Sequence, residues 1–396
     1  MSPDDIVILS AARTPLGSFQ GALASVPAPR LGAVAIKAAL ARAGVEPPWV
    51  SDVILGNVLQ AGLGQGPARQ AALHAGLPHS VRAVAVQKVC GSGLQAVMQG
   101  AHALRAGMAE IVVAGGMENM SASPYLLPRA RQGYRMGHQT VVDSVILDGL
   151  WDPYNQIHMG SCAEKCAQKY GFTRQEQDAY AAESFRRANA AQMDGRFAEE
   201  IAPVEIDGGA VNLGRVEKDE GPTRVVYDRI PTLKPAFDKD GTITAANAST
   251  LNDGAAALVL TSAGTAAARG LRPLARIVAF GAHAQDPIWF TTSPIGASQD
   301  ALQRADWEVG EVDIWEVNEA FAVVPMALAR ELGVPADKLN LRGGAISLGH
   351  PIGCSGARIL VTLMACLRER GGRRGLAAIC IGGGEGMAAA IERISP

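Results

Sequence analysis

The stretch Cys90-Gly-Ser-Gly93 is answered near the other end of the chain by Gly353-Cys-Ser-Gly356, and pairing the two decides the fold. Aligned on their last glycines, they lie 356 − 93 = 263 residues apart. Asp52-Val-Ile-Leu-Gly-Asn57 answers Asp313-Ile-Trp-Glu-Val-Asn318 at 313 − 52 = 261. Leu40-Ala-Arg-Ala43 answers Leu302-Gln-Arg-Ala305 at 302 − 40 = 262. Each Ser-Gly pair opens a helical stretch, and each helix leads into an apolar strand ending in glycines, Val112-Val-Ala-Gly-Gly116 and Ile379-Cys-Ile-Gly-Gly383. Near-constant offsets across unrelated segments identify a duplicated unit. Equivalent loops should then face one another across a pseudo-twofold axis, bringing Cys90, the Gly353 loop and the Gly382 turn to one place.

Around these anchors, short apolar strands alternate with Ala/Leu-rich helices, the pattern of α/β architecture. Ile6–Ser10, Val53–Leu55, Ile111–Ala114, Leu258–Thr261, Ile314–Val317 and Ala377–Ile381 read as buried strands. Leu31–Ala43, Gly93–Ala106, Gln299–Ala305 and Ser355–Arg370 read as helices. The middle is richer in Tyr, Pro, Arg and charge, with helices but few strands, and Thr173-Arg-Gln-Glu176 has the spacing of a capping box. The expected organisation is one α/β half over residues 1–119 and 249–271, an inserted region over 120–248, and a second half over 272–396.

Composition narrows the function. The 396 residues are 48% hydrophobic and 19% charged with a net charge of −2, so a large core is available and no general basic field attracts nucleic acid. No apolar run reaches the roughly 18 residues of a membrane span. The opening MSPDDIVILSAARTP is acidic where a signal peptide is basic, and the closing Arg-Ile-Ser-Pro is no peroxisomal address. Six cysteines in so long a chain do not form a disulfide framework, so a cytoplasmic protein with reduced thiols is expected. Cys162 and Cys166 stand four apart on a helix without a histidine pair, so packing rather than metal binding is expected. Gly62-Leu-Gly-Gln-Gly66 lacks dinucleotide spacing and reads as a loop, so no cofactor is expected.

Chemistry concentrates in three segments. Cys90 precedes a helix, whose unpaired N–H groups favour a thiolate. His350 sits among glycines in Gly343-Gly-Ala-Ile-Ser-Leu-Gly-His-Pro-Ile-Gly-Cys-Ser-Gly356, and Cys380 precedes the turn Gly382-Gly-Gly-Glu-Gly386. Asn318-Glu-Ala-Phe321 adds an amide at a strand end. A thiol of pKa about 8.5 is only a few per cent ionised near neutrality, so full ionisation gains about 2 kcal/mol, whereas one aimed oxyanion donor is worth about 3–4 kcal/mol. Glycines let backbone N–H groups approach a carbonyl oxygen where side chains would block it.

With these segments in hand, the sequence resembles the thiolase family over its whole length, from Ala12-Arg-Thr-Pro15 through Gly115-Gly-Met-Glu-Asn-Met-Ser121 to the C-terminal glycine turn. The resemblance implies duplicated halves layered α/β/α/β/α with an inserted loop domain. It implies that Cys90 is the acylated nucleophile and His350 its base and part of an oxyanion hole. Cys380 is then the acid/base for the α-carbon proton, and Asn318 holds a water that completes the oxyanion hole. The Cys90 and Gly382 N–H groups are expected to serve the acyl-enzyme. Ser249, Met159, Phe237, Leu150 and Phe321 match positions lining the pantetheine channel, while Arg224 is either a CoA phosphate contact or a solvated surface arginine. The pair His158-Met159 resembles short-chain, acetoacetyl-CoA-forming members. The implied activity is acetyl-CoA C-acetyltransferase, joining two acetyl-CoA by a ping-pong Claisen condensation within fatty acid metabolism. The implied partners are acyl-CoA thioesters and further copies of the chain, as a homotetramer or homodimer.

Several positions depart from the family pattern: Gln87 for Asn, Arg342 for Asn, Thr250 for Gly, Glu385 for Gln, and Cys354 for a small residue. Competing readings are a 3-ketoacyl-CoA thiolase of longer chains, a decarboxylating β-ketoacyl synthase, and a non-catalytic acyl-CoA binder. The Cys380-Ile-Gly-Gly-Gly turn speaks against the synthase, and intact Cys90, His350 and Cys380 speak against the binder.

Overall fold

The computed structural model describes residues 1–207 and 212–394; residues 208–211 of the inserted region and the terminal Ser395-Pro396 lie outside the described residues. Nine strands form the frame: β1 (Ile6–Arg13), β2 (Asp52–Gly56), β3 (Arg82–Val86), β4 (Ile111–Asn119), β5 (Asn252–Ser262), β6 (Ala275–Ala284), β7 (Ile314–Val317), β8 (Arg374–Ile381) and β9 (Glu385–Arg393). With the short Gly17–Ser18 on β5 they make one ten-stranded sheet in the order β7-β8-β9-β6-β1-β5-β4-β2-β3.

Read outward from the β1–β6 seam, the two sides repeat. On one side β1/β5 and β5/β4 are antiparallel and β4/β2 and β2/β3 parallel. On the other β6/β9 and β9/β8 are antiparallel and β8/β7 parallel. The mate of β3 has shrunk to one parallel bridge, Trp315 with Leu339. The seam itself pairs only Val7 with Arg276 and Ile8 with Ala275.

Among the described residues, eight α-helices of at least eight residues cover or fill this frame: α1 (Ala28–Ala43), α2 (Pro67–His74), α3 (Ser92–Arg105), α4 (Met159–Tyr170), α5 (Arg174–Met193), α6 (Ser293–Ala305), α7 (Val323–Leu332) and α8 (Ile352–Arg370). Strand alternation divides the apolar residues between layers. Ile111 and Val113 pack outward with α1 and α2, whereas Val112 and Ala114 face an inner cluster with α3 and α8. Ile379 and Ile381 join that inner cluster, while Ala378 and Cys380 face outward with α6 and α7. The layers are therefore α/β/α/β/α. Every residue of α8 from Ile352 to Leu363 is buried, as a helix between two sheets must be.

The central helices cross on two glycines that are mates in the repeat. A Cβ on Gly93 would lie 2.7 Å from the Ala357 nitrogen, and a Cβ on Gly356 would lie 2.5 Å from the Leu94 nitrogen. Such distances admit no side chain. The reciprocal contact is what a twofold axis through the crossing produces.

Between β4 and β5 the chain builds α4, α5 and three two-stranded pairs. Thr173 and Glu176 cap α5 reciprocally, as their spacing predicts. A buried ion network ties this region to both halves. Glu200 receives Arg13 at 2.8 Å and Arg342 at 2.6 Å, and Arg13 also holds Asp219 at 2.7 Å. Strands β6 and β9 are not among those read from sequence. Their runs Ala275-Arg-Ile-Val-Ala-Phe-Gly-Ala and Met387-Ala-Ala-Ala-Ile carry alanine, which has weak strand preference, and pairing on both edges overrides it.

Candidate active site

A cleft of about 960 Å³ opens beside the start of α3, and ten of the twelve residues singled out in the sequence line it. They are Cys90, Leu150, His158, Met159, Arg224, Phe237, Ser249, Phe321, His350 and Gly382. Cys380 and Asn318 do not reach the wall; both are fully buried. Cys380 belongs to the apolar cluster of Met159, Ala248 and Phe321, which do line the cleft.

The Cys90 loop is a tight reversal between β3 and α3. Lys88 and Cys90 bridge across Val89, whose φ of 44° is a conformation that β-branched residues avoid. Three bonds hold it there: Lys88 N–H to Ser92 Oγ at 2.8 Å, Ser92 Oγ–H to the Val89 carbonyl at 2.7 Å, and Gly91 N–H to the Lys88 carbonyl at 3.0 Å. Gly91 lies against Ile381: a Cβ would stand 2.4 Å from Ile381 Cδ1, so that side chain would have to shift. The strand end bearing Gly382 therefore packs directly on the nucleophile loop. The backbone N–H of Gly382 and that of Cys90 itself both act on the Cys90 sulfur. Lys88 pairs with Glu385 across the same junction.

His350 is buried and held from two directions. Its backbone N–H donates to Asn252 Oδ1 at 2.9 Å, and its Nδ1 lies 2.6 Å from Ser355 Oγ. The Ser355 hydroxyl also reaches the Pro351 carbonyl at 3.0 Å. Nε2 of His350 is buried with no partner among the described residues, and so are Oδ1 and Nδ2 of Asn318. Buried polar atoms of this kind bind something small and polar, since leaving them unpaired costs about 1–3 kcal/mol each.

Burial dominates the electrostatics. It pushes the Cys90 thiol up to about 11, opposed by the N–H groups of Gly382 and Cys90. It pushes the His350 imidazole down to about 3, with the Arg358 charge adding to the effect. Burial, with Cys90 nearby, raises the Cys380 thiol well above its ordinary value. Both shifts favour the neutral forms, so desolvation works against the thiolate that the helix N-terminus is expected to favour.

His158 caps α4, its Nδ1 accepting the Gly160 N–H at 3.1 Å, and stacks on Phe237 at 4.7 Å between ring centres. Gly160 makes room for that ring, since a Cβ there would meet Phe237 at 2.2 Å. Arg224 lines the cleft and pairs with Glu220 at 3.0 Å. Thr250 donates to Asn252 Oδ1 at 2.8 Å, the same oxygen that receives the His350 N–H. Arg342 is a buried ion-pair hub away from the cleft wall, Cys354 is buried, and Gln87 is exposed.

Three positions escaped the sequence reading. Asn252 and Ser355 orient His350, and Glu118, fully buried, receives the N–H groups of Val58, Leu59 and Gly353 and the Asn57 amide. Glu118 stands two residues beyond Gly116, and an acid inside Gly-Gly-Met-Glu-Asn was the available signal.

No helix of the described residues is long and apolar enough to cross a membrane, and among them no group of three or more His, Cys, Asp or Glu could hold a metal ion. Residues 6–264 match the thiolase N-terminal domain and residues 271–393 the thiolase C-terminal domain. The chain is 54% identical to an acetyl-CoA acetyltransferase of Cupriavidus necator, covering 98% of this chain and 99% of that one. It is 51% identical to acetyl-CoA acetyltransferase 2 of Arabidopsis thaliana, covering 99% and 98%. The crystal structure of the Bacillus anthracis acetyl-CoA acetyltransferase superposes with a TM-score of 0.95 at 42% identity, covering 98% of this chain and 99% of that one.

Proposed function

The chain belongs to the thiolase family, and from that premise we propose that it is an acetyl-CoA acetyltransferase acting through an acyl-Cys90 intermediate. The observation that carries the reading is the convergence on one sulfur. Cys90, Gly382 and His350, whose Nε2 is uncommitted, line one cleft, and the Gly382 backbone N–H works to lower the Cys90 thiol.

The first half-reaction transfers acetyl from CoA to Cys90. With Nδ1–H donating to Ser355 and the Ser355 hydroxyl donating to Pro351, Nε2 keeps its lone pair and accepts the thiol proton as sulfur attacks. The thioester oxygen turns negative, and the Cys90 and Gly382 N–H groups are its donors. Cys380, a thiol at the start, gives its proton to the departing CoA sulfur and becomes a thiolate, while Nε2 keeps the proton taken from Cys90.

The second half-reaction needs a base while Cys90 is occupied. Cys380 takes the α-proton of a second acetyl-CoA, and the resulting carbanion attacks the acetyl carbonyl on Cys90. A water on Asn318 and the Nε2–H that His350 gained from Cys90 stabilise the enolate. The carbon–carbon bond forms, the Cys90 thiolate leaves and recovers its proton from Nε2, and Cys380, now carrying the α-proton, is again a thiol. CoA as nucleophile runs the same steps backward.

His158 stacked on Phe237 supports the short-chain preference over longer 3-ketoacyl-CoA substrates. A homodimer or homotetramer fits two exposures: β3 ends the sheet with Val84 49% exposed, and Tyr125, Leu127 and Met136 stand in solvent beyond β4. A cytoplasmic location fits six free cysteines.

Incubation with acetyl-CoA followed by peptide mass measurement tests the intermediate: Cys90 should gain one acetyl group. Cys90→Ala should lose both acylation and thiolysis. Cys380→Ser should still acylate and exchange CoA yet condense at least about a hundredfold more slowly. An acyl group on another residue would sink the assignment.

A further inference from the structure

The repeat gives two of the active-site groups, Cys90 and Asn318, mates that converge on Glu118. Cys90 corresponds to Gly353 at 353 − 90 = 263, and Asn318 corresponds to Asn57 at 318 − 57 = 261. In the proposed mechanism the Cys90 N–H receives an oxyanion and the Asn318 amide holds a water beside it. Their mates are already engaged. The Gly353 N–H donates to Glu118 Oε2 at 2.9 Å, and Asn57 Nδ2 donates to Glu118 Oε1 at 2.7 Å. The Val58 and Leu59 N–H groups add bonds of 3.0 and 3.2 Å.

We propose that the chain contains a second, pseudo-symmetric oxyanion hole that is permanently filled by the carboxylate of Glu118, and that Glu118 thereby acts as a positioning residue for His350. Four donors aimed at one buried carboxyl group form a built anion site and favour its ionised form against the burial that pushes Glu118 up to about 7. A Cβ on Gly353 would stand 2.7 Å from Glu118 Oε2, so the carboxylate sits as close to this helix start as glycine permits. Gly353 lies three residues after His350, in the first turn of α8, and Glu118 ends β4 in the other half. The bond fixes the loop carrying the base against the half carrying the nucleophile. The sulfur-bearing copy keeps its hole open for substrate; the other closes its hole and uses it as a joint.

The proposal rests on the acyl-transfer reading, and its test separates the two. Glu118→Ala removes the filling anion and leaves the donors. Formate, a carboxylate without a side chain, is the probe. Its addition should raise the melting midpoint of Glu118→Ala and not that of the parent protein. The variant's kcat should fall at least about tenfold with KM little changed, and formate should restore part of it. Glu118→Gln keeps the shape but turns an N–H₂ toward N–H donors, so it should lose kcat to a similar degree and ignore formate. Glu118→Asp, retaining the charge, should stay closer to the parent. Parent-like kcat in Glu118→Gln, or equal formate shifts in parent and Glu118→Ala, would overturn the proposal. Parent protein left unmodified by acetyl-CoA would overturn the acyl-transfer reading instead, while the formate-dependent midpoint is read without turnover.

Discussion

Nδ1 of His350 and the hydroxyl oxygen of Ser355 lie 2.6 Å apart, and this contact governs which imidazole nitrogen keeps a lone pair for the cleft. With Ser355 also reaching the Pro351 carbonyl at 3.0 Å, the resting tautomer carries its proton on Nδ1. Ser355→Ala removes the acceptor and frees the ring to adopt either form. Steady-state rates should show kcat lowered about tenfold, the value of one buried hydrogen bond, with KM little changed. An unchanged kcat would mean that the ring is held by packing alone.

The raised Cys90 thiol and lowered His350 imidazole make a specific claim about pH. Between about 3 and about 11 the free pair stays neutral, so alkylation of Cys90 by iodoacetamide should climb roughly tenfold per pH unit from 6 to 9 without levelling. A plateau below pH 8 would reveal a stabilised thiolate. Stability follows the same sign. Cys90 at about 11 and Cys354 at about 12 lie above the unfolded cysteine value of about 8.5, so above that pH the unfolded chain has lost protons that the folded chain keeps. The contribution is whole below pH 8.5 and is lost as pH rises toward 11. His350 works at the other end: at about 3 it lies below the unfolded value of about 6.5, and its share is lost as pH falls between them. Melting midpoints measured across pH should form a dome with falls on both sides.

Gly356→Ala places a methyl 2.5 Å from the Leu94 nitrogen, where backbone meets backbone and no rotamer relieves it. A loss of about 1–3 kcal/mol or more is expected, read as a lowered midpoint in urea. Gly310→Ala is the control: nothing lies within 4 Å of its Cβ position. It should melt like the parent.

Arg342→Asn should cost stability rather than chemistry. The guanidinium holds Glu200 at 2.6 Å and Glu369 at 2.7 Å and is almost wholly buried, so its removal leaves Glu200 to Arg13 alone and Glu369 to the more distant Arg196. About 3 kcal/mol is the expected loss, with turnover per folded molecule unchanged. Urea titration beside an active-site titration checks both halves of the statement.

The duplication was legible because Cys90-Gly-Ser-Gly93 and Gly353-Cys-Ser-Gly356 keep the small residues that the helix crossing demands. The cleft was legible for a related reason: glycine-rich loops at strand ends leave few other places for chemistry. What stayed hidden depended on through-space relations. Nothing near Glu118 in the chain announces that it receives the N–H of Gly353, 235 residues away. Thr250 could be seen to differ, but its bond to Asn252 could not. A helix N-terminus beside Cys90 is visible in sequence, whereas the depth of burial that opposes a thiolate there is not. The seam strand β6 was obscured by its alanines, whose partners lie in segments far along the chain.

The interlocked glycines of α3 and α8 have a practical corollary for anyone cutting the molecule. The surfaces joining its two copies are buried and mutually shaped, so the covalent link between them is dispensable once they have met. A single proteolytic nick in the exposed link around Gly270-Leu-Arg272, between the copies, should leave fragments that co-purify and remain active. Either copy made alone would present a bare central helix to water and precipitate.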